Sequence, residues 1–344
     1  MNRPPTGRVT GRVTVRAIAA EAGVSIATVS RVMNGHVQVA PETQETVRRA
    51  VERLGATAPP RRGAADGAVY VRCPYVLSDY FGSIVTSIAE TLDLYHRKVI
   101  LNAGESSQRT PAMLSALPQD PGIAGAILVL PPDPAEEIQA LRAQAFPFVV
   151  VDSRLSLAPD VASVSAAHFA GARSLTAHLT ALGHRRIGLI RGPADWLVSE
   201  SRSIGHAAAL AEIGVLPSPE LVRTVDEPAV GMGYQAAREL LDLPQRPTAI
   251  VAFNDKAALG AMRAAAERGL RVPQDLSVTG FDDSDISRST TPTLTTVRQP
   301  LEEMGRMAVS LLVRLMARHT VDTLHVELAT HLVVRDSTGP VPPG

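Results

Sequence analysis

The 344-residue chain carries 34 basic and 34 acidic side chains, is 45% hydrophobic and contains one cysteine, Cys73. This is more than one typical domain with enough apolar content for sizeable cores, and a lone cysteine excludes a disulfide framework. Overall neutrality hides an asymmetry: residues 1–65 hold ten arginines against four glutamates, so a basic head suited to a polyanion precedes a body with an equal acidic excess.

In chain order, the head reads as three short helices. Thr14 is an N-cap candidate, Ile18, Ala19 and Ala22 form one apolar face, and Gly23 ends the first helix because glycine tolerates positive φ. Ser25 is a second N-cap candidate for a helix running to about Asn34. On it Val29, Val32 and Met33 alternate with the more polar Thr28, Ser30 and Arg31, so that one face packs while the other is free to read. Val47, Val51 and Leu54 repeat at helical spacing over 41–54 and close a three-helix core.

Residues 56–67, with Pro59, Pro60 and Gly63, read as a linker. Beyond it, short apolar runs predict strands over 69–72, 98–102, 125–130, 148–152, 186–191, 249–253 and 277–281. Amphipathic stretches predict helices over 84–95, 135–144, 170–182, 201–213, 231–241, 256–268 and 302–318. Such alternation is the pattern of an α/β protein whose parallel sheets are covered on both faces, with ligands beyond the carboxyl ends of the strands. The first residues lack an apolar h-region and no stretch approaches the roughly 20 apolar residues of a membrane span, so a cytoplasmic chain with no membrane partner is expected.

Ala-Gly-Val-Ser-x-x-Thr-Val-Ser-Arg-Val-x-Asn at 22–34 resembles the helix-turn-helix of the lactose/galactose repressor (LacI/GalR) family of bacterial regulators. The resemblance continues through Leu182-Gly183-His184-Arg185-Arg186-Ile187, Pro247-Thr248-Ala249-Ile250 with Asn254-Asp255, and Gly280-Phe281-Asp282-Asp283. Pro292-x-Leu294-Thr295-Thr296-Val297-Arg298-Gln299-Pro300 and Leu332-Val333-Val334-Arg335-Asp336-Ser337-Thr338 extend it to nearly the whole chain. It implies a helix-turn-helix head (1–55), a linker (56–67), a two-lobed periplasmic-binding-protein-like effector and dimerisation domain (68–338) with three crossings, and a flexible tail (339–344). It also implies a sequence-specific transcriptional regulator acting as a repressor: a homodimer on a near-palindromic double-stranded DNA operator, controlled by a small molecule, a sugar, bound between the lobes.

By motif position, Ile26, Ala27 and Arg31 correspond to base-contacting residues, and Thr14, Ser25, Thr28, Ser30 and Asn34 to phosphate or positioning contacts. Arginine suits guanine, while Ile and Ala reach only methyl groups. Relatives carry a hinge helix whose leucine wedges into the minor groove. Here that position is Ala65, too small to wedge, which leaves Arg61 and Arg62 as electrostatic grips.

In the cleft, the resemblance aligns Asp152, Arg202, Asn254, Asp282 and Gln299 with polar ligand-facing positions, and Tyr80 and Phe81 with an aromatic pair. Trp196 and Phe253 are further stacking candidates. His168 stands where relatives carry Asn and reads as a satisfied residue. His184 reads as a cation complementing a helix C-terminus. Asp282, Asp283 and Asp285 raise the thought of paired carboxylates, but no His or Cys stands at metal-ligand spacing, so neither an enzyme nor a cofactor is expected. The alternative, a sugar-binding transport component, calls for a signal peptide and no basic helical head.

Overall fold

The computed structural model describes residues 15–33, 40–53, 67–75, 78–103, 113–319 and 323–342. Its contacts divide the chain into two units, Met1–Gly67 and Ala68–Gly344.

The smaller unit contains α1 (Val15–Ala22), α2 (Ile26–Met33) and α3 (Pro41–Arg53). Gly23 takes φ +65° and Val24 N–H donates back to the Ala19 carbonyl at 3.2 Å, the left-handed exit that glycine permits. Ser25 Oγ accepts from the Thr28 N–H at 3.0 Å and so caps α2. Ile18, Ala19, Val29, Val47 and Ala50 form the core. Thr14, Asn34, Leu54 and residues 56–66 of the linker, with Arg61 and Arg62, lie outside the described residues, as do the side chains of Ala27, Ser30 and Arg31.

The larger unit has two lobes. The first is built on a parallel sheet ordered β11-β5-β4-β3-β1-β2: β1 (Ala68–Cys73), β2 (Val99–Ala103), β3 (Ile123–Val129), β4 (Phe148–Val151), β5 (Ser163–Ala166) and β11 (His325–Leu328). Side chains alternate between its faces. Val69, Val71, Ile127, Val129, Val149 and Val151 join a core with α4 (Asp79–Leu94) and α11 (Leu301–Met316). Their neighbours Tyr70, Ala126, Leu128, Phe148 and Val150 join another with α5 (Ala135–Ala143) and the 3-10 turn Leu114–Gln119.

The second lobe holds a parallel sheet ordered β7-β6-β8-β9: β6 (Ile187–Arg191), β7 (Val222–Thr224), β8 (Ala249–Ala252) and β9 (Ser277–Thr279). One face packs on α6 (His168–Ala181) and α7 (Leu197–Glu212), the other on α8 (Val230–Leu241) and α9 (Asp255–Glu267). A short antiparallel pair, β10 (Thr296–Arg298) with β12 (His331–Val333), lies beside it, and α10 (Asp285–Ser289) follows β9. The chain crosses between lobes after β5, after β10 and after β11. Ala167 N–H to Leu328 O (2.8 Å) and Thr330 Oγ1 to Ala167 O (3.3 Å) bind two of these crossings together.

Several expectations need correction. β5, β7, β10, β11, β12 and α10 are three to five residues long, too short for a readable period. α4 and α7 start at Asp79 and Leu197 rather than 84 and 201, because their first turns face the inter-lobe cleft and carry no amphipathic signature. The expected flexible tail is tied down through Val341: Val341 N–H donates to Leu182 O at 3.0 Å, and Gly339 N–H to Ser277 Oγ at 3.1 Å. His184 is buried against this tail, with Nδ1 2.9 Å from Thr248 Oγ1 and Nε2 3.0 Å from Gly339 O. Burial lowers its pKa, so it is a structural connector and not the cation complementing a helix C-terminus that the sequence suggests.

Glycines let the helix pair α8/α9 approach at van der Waals limits: a Cβ at Gly260 would sit 2.3 Å from Val230 O and 2.5 Å from Tyr234 N. Gly260→Val is therefore expected to destabilise the larger unit by about 1–3 kcal/mol, read from urea denaturation; unchanged stability would show that the pair separates freely.

Candidate ligand-binding site

The carboxyl ends of both sheets face each other across a cavity of about 380 Å³. From the first lobe, Tyr75 and Leu130 follow β1 and β3, Asp152 follows β4, and Asp79, Tyr80 and Phe81 form the first turn of α4. From the second lobe come Trp196 ahead of α7, Arg202 within it, Glu227 and Pro228 after β7, Phe253, Asn254 and Lys256 around the start of α9, and Asp282 and Ser284 after β9.

A polar chain crosses this cavity's floor. The Tyr80 hydroxyl donates to Asp152 Oδ2, and His168 Nε2 lies 3.1 Å from Asp152 Oδ1. Arg202 Nη2 is 3.4 Å from His168 Nδ1 and 3.8 Å from Asp282 Oδ1, while Nη1 donates to Phe253 O at 2.6 Å. Arginine can only donate, so His168 Nδ1 is the acceptor and its Nε2–H faces Asp152. The guanidinium carbon also lies 3.7 Å from the Phe281 ring centroid and 4.5 Å from that of Phe253. Asp282 accepts from Gln299 Nε2 at 2.7 Å.

Eight of the expected site residues line the cavity: Tyr80, Phe81, Asp152, Trp196, Arg202, Phe253, Asn254 and Asp282. Gln299 does not; it is buried behind Asp282 and orients that carboxylate. Asn254 is already engaged, for its Oδ1 caps α9 through Ala257 N–H (2.9 Å) and its Nδ2 donates to Pro228 O (3.2 Å). His168, read as merely satisfied, is the bridge between Asp152 and Arg202. Its position at the first lobe crossing carries no sequence signal beyond its departure from the family pattern. Glu227, Lys256 and Ser284 were missed because they sit in loops or helix starts whose approach is set by the tertiary fold.

Burial pushes the Asp282 carboxyl up, more than Arg202 and Gln299 pull it down. Burial and the charge of Asp282 together push Asp255 up as well, against hydrogen bonds from Thr296 Oγ1 (2.6 Å) and Ser284 N–H (2.8 Å). Asp152 goes the other way: burial raises it, but His168, Tyr80 and Arg202 outweigh burial and hold it below its ordinary value. Asp283 is no catalytic partner for Asp282. Arg335, Arg298 (2.6 Å) and Arg288 (3.2 Å) surround it and, against the cost of burial, hold it at about 2. Asp152 (φ 45°) and Asp282 (φ 111°) both occupy the left-handed half of φ space, strain of order 1–3 kcal/mol each that the surrounding contacts sustain.

Residues 14–56 match the family described as bacterial regulatory proteins, lacI family, and residues 176–338 match the periplasmic binding protein-like domain. The HTH-type transcriptional regulator MalR of Streptomyces coelicolor is 35% identical over 333 residues, 94% of this chain and 96% of that protein. The solved structure of a transcriptional regulator CelR–cellobiose complex superposes with a TM-score of 0.72 at 32% identity, over 95% of this chain and 100% of that one. A lac repressor dimer bound to operator and the anti-inducer ONPF gives a TM-score of 0.70 at 29% identity, over 96% and 100%.

The raised carboxyls set a pH dependence. A folded pKa above the unfolded value means that the native state holds the proton more tightly, so the contribution of Asp255 and Asp282 to stability falls as pH rises from about 4 towards neutrality, while buried His206 and His184, held below their ordinary values, contribute in the opposite sense. Asp282→Asn is expected to flatten that fall when unfolding is followed in urea between pH 4.5 and 7.5; an unaltered slope would place the titration on other groups.

Proposed function

The chain belongs to the lacI family of bacterial regulatory proteins, a family of DNA-binding transcriptional regulators, and on that premise we propose that it is a repressor controlled by a sugar held between the lobes of its larger unit. The carrying observation is the cavity itself, which meets residues from both lobes and is crossed by one continuous polar chain from Tyr80 to Gln299. A ligand that contacts both walls favours the arrangement in which they are close, and the shift is limited by its differential affinity for the two arrangements.

The lining favours a neutral polyol over an anion. Each terminal nitrogen of Arg202 already has a partner within the protein and Asp282 stands beside it, which lessens its attraction for a carboxylate or phosphate. Asp79, Asp152, Glu227 and Asp282 outnumber Lys256 on the remaining wall. Asp152 and Asp282 can accept from hydroxyls, and Trp196, Phe253, Tyr80 and Phe81 supply apolar faces for a sugar's C–H surface. The cellobiose bound by the CelR relative is of this chemistry. Asn254 and Gln299 then act chiefly by holding Pro228, α9 and Asp282 in place.

On the DNA side, Arg31 is assigned to base contact, with Ile26 and Ala27 against methyl groups, and Thr14, Ser25, Thr28, Ser30 and Asn34 as phosphate or positioning contacts. Ile26 is half exposed on α2, as a reading residue must be, although Ser25 and Thr28 also spend their polar atoms capping that helix. Arg61 and Arg62 of the linker add electrostatic grip. The protein works as a cytoplasmic homodimer on a near-palindromic operator, as a regulator and not as an enzyme, and no described helix is long and apolar enough to cross a membrane.

The test is a mobility shift on DNA from around the chain's own gene at fixed salt, with and without a panel of mono- and disaccharides. A specific complex dissolved by one sugar supports the reading; binding that is weak, sequence-independent and indifferent to every sugar contradicts it. Arg31→Ala is expected to cost about 1–3 kcal/mol of specific binding, and full operator affinity in that variant would remove Arg31 from the readout. Trp196→Ala is expected to weaken affinity for the active sugar by roughly tenfold in calorimetric titration; an unchanged constant would show that the ring is not part of the sugar's platform.

A further inference from the structure

One aromatic wall of the large cavity is held by a residue outside it. Trp196, immediately ahead of α7 in the second lobe, lines the cavity; Arg154, two residues beyond Asp152 in the first lobe, does not. Yet the Arg154 guanidinium carbon lies over the indole, 4.9 Å from the ring centroid, and the Arg154 carbonyl accepts from the Leu197 N–H at 3.3 Å. From its own lobe the indole meets Phe253, with ring centroids 6.1 Å apart and planes inclined at 64°.

We propose that Arg154 is a positioning residue of the ligand site: its guanidinium, brought from the first lobe, lies on the Trp196 ring, holds that ring at the cavity wall and couples the ring's placement to closure of the lobes.

Three observations point the same way. Arg154 sits between β4 and β5 and Trp196 between β6 and α7, so neither belongs to a crossing, and their contact exists only while the lobes are together. Helix α7 has no side-chain cap at Trp196, and Leu197 N–H is one of the first-turn amides that lack an intrahelical partner; the carbonyl of the other lobe supplies one. The guanidinium, lastly, is fastened more to the second lobe than to its own. Its Nε is shut off from solvent with no hydrogen-bond partner among the described residues. Burial draws its pKa down, and the strongest opposing charge is that of Asp195, the neighbour of Trp196, ahead of Tyr75 and Asp133 of the first lobe.

This distinguishes Arg154 from Arg202, whose terminal nitrogens are tied by hydrogen bonds. A partly desolvated guanidinium on an indole biases an equilibrium by roughly threefold to thirtyfold, enough to favour the closed arrangement and little enough to yield when the lobes part. A ligand resting on Trp196 in the closed arrangement meets a ring already fixed from both lobes; with the lobes apart the ring keeps only Phe253. Arg154 thus acts on ligand affinity through the indole, without touching the ligand. That role rests on the sugar-binding reading of the cavity, whereas the stack itself does not.

Trp196 is the chain's single tryptophan, so its emission reports on this stack alone. In the ligand-free, full-length protein, protection of the indole from acrylamide quenching is expected to be lost in Arg154→Ala and largely kept in Arg154→Lys. Cellobiose and the other sugars of the panel are then titrated calorimetrically into wild type, Arg154→Ala, Trp196→Ala and the double variant. Arg154→Ala is expected to weaken the affinity of a sugar that binds by about threefold to thirtyfold, and to have no further effect once the ring is gone. Unchanged protection in Arg154→Ala, or the same loss of affinity with and without the Trp196 ring, would overturn the assignment. A wild type that binds no sugar of the panel contradicts the sugar reading instead, and the quenching comparison then decides the stack by itself.

Discussion

The guanidinium of Arg202 is the group on which the geometry of the cleft depends. It is buried, and its terminal nitrogens reach the carbonyl of Phe253, the ring of His168 and the carboxylate of Asp282, while two phenylalanine rings pack against its plane. Those partners arrive from three places: the end of β8, the first crossing between the lobes, and the loop after β9. His168 then carries the connection to Asp152 and Tyr80 in the first lobe. Removing a charge from water costs several kcal/mol unless its hydrogen bonds are replaced. The surrounding elements are thereby held to the few positions that replace them, which makes relative placement of the lobes and protonation in the floor parts of one problem.

The carboxylates divide by what surrounds them. Asp283 faces three arginines and is a structural hub; Asp152 has two hydrogen-bond donors and stays acidic; Asp282 and Asp255 lack enough compensation and are pushed towards the neutral form. A cavity whose acceptors are not fully paid for by protein donors is suited to a ligand that brings hydroxyl hydrogens. The same logic separates Arg202, whose terminal nitrogens each have a protein partner, from Lys256, which lines the cavity and forms no ion pair among the described residues.

The residue sequence by itself determined the head and the layered body. Gly23 at positive φ, Ser25 as a cap and Val29 and Val47 in the core follow from local chemistry, since caps and turns involve neighbours within four residues. The principal strands and helices of both sheets were legible for the same reason, because alternation in β1, β3 and β4 divides each strand between two cores. Motif resemblance carried six of the cavity residues with it: Tyr80, Phe81, Asp152, Arg202, Asn254 and Asp282.

What only the tertiary structure decided is how polar side chains far apart in the chain share their hydrogen bonds. Asn254 turned out to cap α9 while Gln299 stands behind Asp282, and His168 bridges partners 16 and 34 residues away. The tail from Gly339 to Val341 is pinned by Leu182 and Ser277. A side chain's residue type states which hydrogen bonds it can make. Which of them it does make depends on burial and on groups brought close by the fold, and neither is a property of its neighbours in sequence.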